Sequence, residues 1–189
     1  MIFSKDHPYQ FLKSFIEREF NITHITASYY FYRQQSLVDE RVTYLVDRET
    51  FLDEHEFSKF IDQCPVDFEV AIHSDVLTSD SVRLHFPMID MSTSATAQLN
   101  KLENYIGSEI FNQLAFYDSG RSFHVYGQKL LSEKEWIAFM GTLLLSNQKD
   151  LKPLVDPRWI GHRLIAGYSS LRWTKNTSQY LSFPKRANP

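Results

Sequence analysis

One short segment carries more structural and chemical information than any other, residues 117–126: Tyr117-Asp118-Ser119-Gly120-Arg121-Ser122-Phe123-His124-Val125-Tyr126. Aromatic and β-branched residues flank a Ser-Gly pair, a pattern that predicts a strand, a tight turn and a second strand. Gly120 suits the turn because glycine adopts positive φ without a Cβ clash. Ser122 and His124 are two residues apart, so on a strand they share one face. We interpret the segment as a binding hairpin that holds a phosphate or shares a proton. The alternative is an ordinary hairpin in which a neighbour satisfies the histidine.

The composition is that of a globular protein. The chain has 189 residues, of which 43% are hydrophobic and 23% charged, enough for one core or for two small lobes that share one. The formal net charge of -3 excludes a domain that coats phosphates with positive charge over its whole surface. Any nucleic-acid contact must therefore come from a local basic patch. The candidate is the C-terminal segment, with Arg158, Arg163, Arg172, Lys175, Lys185 and Arg186.

The cellular compartment is indicated by what the sequence lacks. The single cysteine, Cys64, excludes an intramolecular disulfide and a cysteine-rich zinc site. No apolar run approaches the length of a membrane span, and the N-terminus shows no hydrophobic signal core. We expect a cytoplasmic protein without membrane contact.

Helical and strand periodicity alternate along the chain. We expect helices over residues 8–21, 48–63 and 94–113, and a further helix whose capping box is Ser132 with Glu135. We expect strands over residues 22–33, 41–46, 68–76 and 82–89, and two paired strands over 168–173 and 180–183. No repeat or flexible linker divides the sequence. The expectation is one α+β domain, residues 1–189, with an N-terminal lobe (1–65) and a core (66–189).

Three segments carry candidate chemistry, in this order: an Asp after a strand in Met88-Ile89-Asp90-Met91-Ser92, the Ser-x-His hairpin, and the pair Val155-Asp156 followed by a basic segment. Together they resemble the catalytic core of archaeo-eukaryotic primases, including the primase-polymerases, over roughly residues 66–184. That family has a strand ending in Asp-x-Asp, then Ser-x-His, then a hydrophobic residue with Asp. The resemblance implies an RRM-like antiparallel sheet backed by helices, with a small N-terminal α/β subdomain.

The same resemblance implies a nucleotidyltransferase site. Asp90 and Asp156 would hold Mg²⁺ or Mn²⁺, since hard divalent cations prefer oxygen ligands. His124 would act with them as a catalytic residue, and Ser122 and His124 would contact the triphosphate. The remaining candidates for phosphate or template contacts are Arg121, Arg163, Arg172 and Lys175.

One position departs from the family pattern. Ser92 stands where a second carboxylate would follow Asp90, and a serine brings no negative charge. We therefore expect weakened two-metal binding, unless Glu69 or Asp75 on the neighbouring strand replaces the missing ligand. The leading hypothesis is a primase-polymerase-like protein that binds nucleotides or nucleic acid and is catalytically weak or inactive.

Two other functional hypotheses stay open: an active metal-dependent primase-polymerase, and a scaffold protein without a ligand. The expected partners are a nucleoside triphosphate, single-stranded or primer–template nucleic acid, and a partner protein.

Each candidate residue also has a purely structural interpretation. Asp90 would cap the helix that begins near Ser94, and Asp156 would be an N-cap followed by proline at N1. His124 would be a satisfied strand histidine. The basic residues Arg163, Arg172 and Lys175 would form a solvated face. We interpret the other three histidines of the core region, His73, His85 and His162, as structural.

Overall fold

Two antiparallel β-sheets form the framework of the protein, as a computed structural model that describes residues 3–187 shows. The strands are β1 (Ile22–Phe31), β2 (Glu40–Asp47), β3 (Glu69–Thr78), β4 (Arg83–His85), β5 (Met88–Asp90), β6 (Ala115–Asp118), β7 (Phe123–Tyr126), β8 (Ser170–Arg172) and β9 (Lys185–Ala187). The helices are α1 (Pro8–Arg18), α2 (Arg48–Leu52), α3 (Glu54–Asp62), α4 (Leu99–Ile106), α5 (Ser108–Phe111), α6 (Glu133–Leu145) and α7 (Pro157–Ala166). The predicted α+β class, with antiparallel sheets backed by helices, is confirmed.

The first sheet has the order β2-β1-β3-β4, and the short strand β8 also pairs with β3. Strand β3 is therefore central, and nine of its ten residues are buried. Its helix-facing side chains pack with aromatic residues such as Tyr9, Phe51 and Phe57, which are fully buried. Full burial of one such side chain contributes about 2 kcal/mol, so this aromatic cluster holds α1, α2 and α3 on the sheet.

The second sheet has the order β5-β7-β6-β9. It packs with α4, α6 and α7 around a separate cluster that includes Val125, Leu102 and Trp136. Helix α6 begins with the predicted capping box, since Ser132 and Glu135 bond each other's backbone N–H groups. The two sheets are joined through Trp173, just after β8, whose indole N–H donates to the Tyr126 hydroxyl on β7 at 3.0 Å.

Three predicted elements are each divided into shorter ones. The helix expected over 48–63 breaks at Asp53, whose side chain accepts from the N–H groups of His55 and Glu56 and starts α3. The helix expected over 94–113 becomes a 3-10 turn (Thr96–Gln98), α4 and α5, with Gly107 at φ +79° between the two helices. The strand expected over 82–89 splits at Pro87, which cannot donate to a ladder. As a result β4 lies in the first sheet and β5 in the second.

The paired strands predicted over 168–173 and 180–183 are wrong. Strand β8 pairs with β3, residues 180–183 form no strand, and the C-terminal strand is β9, which pairs with β6. The reason lies in Glu69, whose buried carboxylate accepts hydrogen bonds from Thr174, Asn176 and Thr177 and holds this segment as a loop. The first helix is also shorter than predicted and ends at Arg18. No helix within residues 3–187 is both long and apolar enough to cross a membrane.

Candidate functional site

A cavity of about 240 Å³ lies where the two sheets meet. Its walls come from both sheets, from α7 and from the loop between β1 and β2. Five of the predicted catalytic, metal and phosphate-contact residues line it: Asp90, His124, Asp156, Arg163 and Arg172. Arg158 of the predicted basic segment also lines it. These residues are up to 82 positions apart along the chain, from 90 to 172, so the fold brings the predicted motifs together in one place.

Backbone pairing explains this convergence. Asp90, the last residue of β5, lies directly opposite His124 in the register with β7. The main chain then continues past Asp90 into an isolated bridge between Met91 and Val155. The Asp156 N–H donates to the Asp90 carbonyl oxygen at 2.9 Å. The N-terminus of α7 is thereby fixed beside the end of β5, and the two carboxylates are held near each other.

The Asp156 carboxylate is the N-cap of α7. Its Oδ1 accepts from the N–H groups of Arg158 (2.8 Å) and Trp159 (3.2 Å), and Pro157 follows at N1. The structural interpretation of Asp156 is therefore confirmed. Asp156 also lines the cavity. Its Oδ2 is not used by the cap bonds, which go only to Oδ1. The structural interpretation of Asp90 is wrong, since the next helical segment begins at Thr96 without a side-chain cap.

The Asp90 carboxyl is perturbed first by burial and second by a neighbouring carboxylate. Burial, and next the negative charge of Asp156, raise the pKa of Asp90 to about 7, although the charge of Arg172 opposes this. A divalent cation between the two carboxylates would remove this repulsion. Within residues 3–187, however, no cluster of three or more His, Cys, Asp or Glu side chains could hold a metal ion. Asp90 and Asp156 are therefore the candidate ligands for a cation in this part of the cavity.

The His124 ring is buried and neutral. Burial, and then the positive charge of Arg172, lower the pKa of His124 to about 3. A backbone hydrogen bond with Arg172 opposes this lowering of the pKa. Its Nε2 lies 3.8 Å from Asp90 Oδ1, too far for a hydrogen bond. Its Nδ1 has no hydrogen-bond partner in the part of the chain that the structure describes. The unpartnered Nδ1 is the ring atom that is open to a ligand.

Two buried guanidinium groups supply positive charge. Arg172 donates to the carbonyl oxygens of Thr174 and of Ser119 in the hairpin turn, and its guanidinium lies 4.0 Å from the centroid of the Tyr180 ring. Arg163 donates to Ser170 Oγ at 2.7 Å and to Asp39. The Nε atoms of both arginines are buried and have no partner within residues 3–187. The solvated-face interpretation is wrong for these two residues, although Lys175 is exposed.

Other predicted residues lie outside the cavity lining. Ser122 is part of the turn, where its carbonyl oxygen accepts from the N–H and hydroxyl of Ser119. Arg121 is exposed and donates to the Gln179 carbonyl at 3.4 Å. Lys175 and Ser92 are also exposed and do not line the cavity. None of these positions contributes a cavity wall.

The two candidates for replacing the missing carboxylate are occupied elsewhere. Glu69 binds the 174–177 loop. Asp75 accepts from Thr26 at 3.0 Å and lies 3.4 Å from Arg83. Neither lines the cavity, so the structure offers no substitute for Ser92 among these residues.

Several cavity residues were not predicted. Asp39 and Arg41 enter from the β1–β2 region, and Tyr180 enters from the C-terminal loop. His162, for which we expected a structural role, also lines the cavity, whereas His73 and His85 are buried and stack on aromatic rings. The sequence showed only that the segments around these residues are basic and aromatic. No spacing between residues along the chain connected them to the three motifs.

The archaeo-eukaryotic primase 1D-like family matches residues 48–185, which is well over half of the 189-residue chain and contains all five cavity residues named first. The chain belongs to this family. The resemblance stated from the three motifs is thereby confirmed, and the protein is primase-like. No curated protein and no solved structure matches the chain.

Proposed function

We propose that the cavity binds the triphosphate of a nucleotide together with one divalent cation. The observation that carries this proposal is the convergence of Asp90, His124, Asp156, Arg163 and Arg172 on one cavity of about 240 Å³. Membership of the primase-like family supports the same direction. Carboxylates beside arginines are what a metal–phosphate ligand requires, since the cation and the phosphate oxygens need opposite charges close together.

The buried donors suit phosphate oxygens. Arg163 and Arg172 are held by their own hydrogen bonds and each keeps an unpartnered Nε–H within residues 3–187. A guanidinium that is already fixed in place loses less side-chain entropy per hydrogen bond than a flexible lysine does. His124, kept neutral by burial, adds a hydrogen bond without adding charge. Asp90 and Asp156 would hold the cation, which when bound neutralises phosphate charge and stabilises the oxygens of a displacement reaction.

Aromatic rings at the cavity favour a ligand that carries a base. Tyr30, Tyr180 and Trp159 line the cavity, and the hydroxyls of the two tyrosines lie 3.0 Å apart. Tyr32 also lines it and is half exposed, with its ring 6.3 Å from that of Tyr180. Exposed aromatic rings stack nucleobases without sequence preference.

We further propose that catalysis is weak. A two-metal displacement needs carboxylates around both ions, and only Asp90 and Asp156 come from the predicted motifs, while the other carboxylate in the lining, Asp39, is bound to arginines. Ser92 supplies no charge. We therefore propose a protein that binds nucleotides and synthesises primers slowly or not at all.

Calorimetric titration of ATP and dATP, with and without Mn²⁺, tests the proposal. We expect Mn²⁺-dependent binding that weakens at least tenfold in His124→Ala. The matched control is Lys175→Ala, which removes an exposed charge outside the cavity and should change affinity less than twofold. Absence of nucleotide binding to the wild type, or equal binding by both variants, would refute the proposal.

Asp156 allows the cap and the ligand role to be separated. Asparagine caps helices as well as aspartate does, so Asp156→Asn should leave the unfolding free energy within about 0.5 kcal/mol of the wild type. It should nevertheless weaken Mn²⁺ binding, because the negative charge is gone. If Mn²⁺ affinity is unchanged in a stably folded Asp156→Asn, then this carboxylate is only a cap.

A further inference from the structure

A single carboxylate at the cavity is shared by two guanidinium groups. Asp39 lies in the loop between β1 and β2, and its side chain is 28% exposed. It accepts hydrogen bonds from Arg41 Nε at 3.0 Å and from Arg41 NH2 at 2.8 Å, a bidentate pairing, and also from Arg163 NH2. All three residues line the cavity.

The two arginines are held in place independently of Asp39. Arg41 NH1 also donates to Ser28 Oγ at 2.9 Å and to Ser170 Oγ at 3.2 Å. Arg163 donates to the same Ser170 oxygen at 2.7 Å. Both guanidinium groups lie over the Tyr168 ring, at 5.9 Å and 5.5 Å from its centroid. They come from β2 and α7, whereas Asp39 comes from a loop.

The charges in this group do not balance. Two arginines face one carboxylate, so the cluster keeps one net positive charge. The side chains of Arg41 and Arg163 are only 9% and 5% exposed, far less than Asp39. Although burial raises the pKa of Asp39, hydrogen bonding to Arg41 and the charges of Arg163 and Arg41 lower it below its usual value. The carboxylate is therefore ionised at neutral pH and acts as an anion bound to a preformed site.

We propose that Arg41 and Arg163 form a phosphate subsite of the cavity, which the chain's own Asp39 fills until a phosphate group displaces it. A phosphate offers the same pairs of oxygens to a guanidinium fork and carries more charge than a carboxylate. The ligand class is a phosphate group of a nucleotide or polyphosphate, so the subsite extends the nucleotide site proposed above and rests on that proposal for its biological ligand. Displacement releases the loop of residues 33–39.

The test compares two substitutions that remove the same charge. Asp39→Asn keeps the size of the side chain, removes the competing anion and should bind inorganic tripolyphosphate at least fivefold more tightly than the wild type, measured by calorimetry at low salt without metal. Asp67→Asn is the matched control, because Asp67 is exposed, lies outside the cavity and has a positive φ that asparagine tolerates. We expect that control to change affinity less than twofold.

A double substitution ties the effect to Arg41. Asp39→Asn should give no gain in tripolyphosphate affinity when Arg41→Gln is present, because the subsite is then incomplete. In the wild type, amide hydrogen exchange over residues 33–39 should accelerate when tripolyphosphate is added, and this readout needs no substitution.

The outcomes separate this subsite from the nucleotide site. Equal affinities for Asp39→Asn and Asp67→Asn, or no tripolyphosphate binding to either, overturn the subsite, and an unchanged exchange rate over residues 33–39 does so as well. Wild-type ATP binding alongside that result leaves the proposed function standing. Conversely, tripolyphosphate binding that is enhanced by Asp39→Asn, in a protein that binds no ATP or dATP, supports the subsite and overturns the nucleotide function.

Discussion

Replacement of Glu69 by glutamine should destabilise the protein and loosen one wall of the cavity. The Glu69 carboxylate is 1% exposed and accepts five hydrogen bonds, from Thr174 Oγ1, from the Asn176 N–H to both oxygens, and from the N–H and hydroxyl of Thr177. Glutamine has nearly the same shape but offers one acceptor oxygen, so at least the bonds to Oε2 are lost. Hydrogen bonds to a charged group contribute roughly 1.5–3 kcal/mol each.

We therefore expect Glu69→Gln to lower the unfolding free energy by about 3 kcal/mol, because part of the network re-forms around the remaining oxygen. For a protein of this size, such a loss corresponds to a fall in Tm of roughly 9 °C. Urea unfolding followed by tryptophan fluorescence measures the change, with an unchanged m-value as the sign that only stability is altered. The loop that Glu69 holds leads to Tyr180, so nucleotide affinity should fall as well.

The control for this substitution is Glu40→Gln on the edge strand β2. Its carboxylate is exposed and lies 3.4 Å from Arg33, an arrangement that contributes less than about 1 kcal/mol. If Glu69→Gln costs no more than Glu40→Gln, the buried carboxylate is not what holds the 174–177 loop. The explanation given for the absence of the strand predicted over 180–183 would then be wrong.

The remaining predictions concern the first motif, pH and a glycine. Ser92→Asp places a carboxylate two residues after Asp90, at an exposed position, and should raise Mn²⁺ affinity roughly tenfold by calorimetry. No rise would mean that position 92 is out of reach of the cation. Burial lowers the pKa of His7 to about 4, whereas the unfolded chain takes up this proton near pH 6.5. The neutral ring therefore contributes stability that is present above pH 6.5 and is lost as the pH falls towards 4, by up to about 3 kcal/mol. His7→Asn, which can still cap α1, should flatten the dependence of urea midpoints on pH over that range. An unaltered slope would contradict this prediction. Gly107→Ala should lower the unfolding free energy by about 2 kcal/mol, because the backbone at φ +79° and ψ 151° is strained for any residue with a Cβ. Gly141→Ala in α6, which has equally open space around it, should be neutral or stabilising in the same thermal melt.

Local sequence patterns predicted those helices and strands whose ends coincide with a change in the spacing of the hydrophobic residues. The hairpin β6–β7, the long strand β1 and the capping box of α6 are all present near the predicted positions. Patterns of this kind failed where an apolar run continued across a break. Asp53, Pro87 and Gly107 each end an element through a cap, a missing donor or a positive φ, while the hydrophobic residues on both sides keep their spacing.

The candidate site was predicted to the extent that its residues lie in family-like motifs. Asp90, His124 and Asp156 meet at the cavity, as the resemblance to the primase core implied. Arg41 and Asp39 were missed because their role depends on β2, α7 and β8 meeting in space, which no local spacing records. Conversely, Ser122, Arg121 and Lys175 fall within or next to the motifs, but the turn and the loop place their side chains outside the lining.

The position of β1 in the first sheet has a practical consequence for protein production. This strand lies between β2 and β3, yet both β1 and β2 precede residue 48, where the similarity to the primase family begins. A fragment trimmed to the matched residues would leave one side of β3 without a neighbouring strand and uncover the apolar residues that α1 protects. Unpaired apolar strands of this kind associate with one another, so the trimmed fragment should be recovered as insoluble aggregate. We therefore expect that a fragment beginning at residue 48, where the family match starts, does not fold independently, and that expression should retain the N-terminal 47 residues.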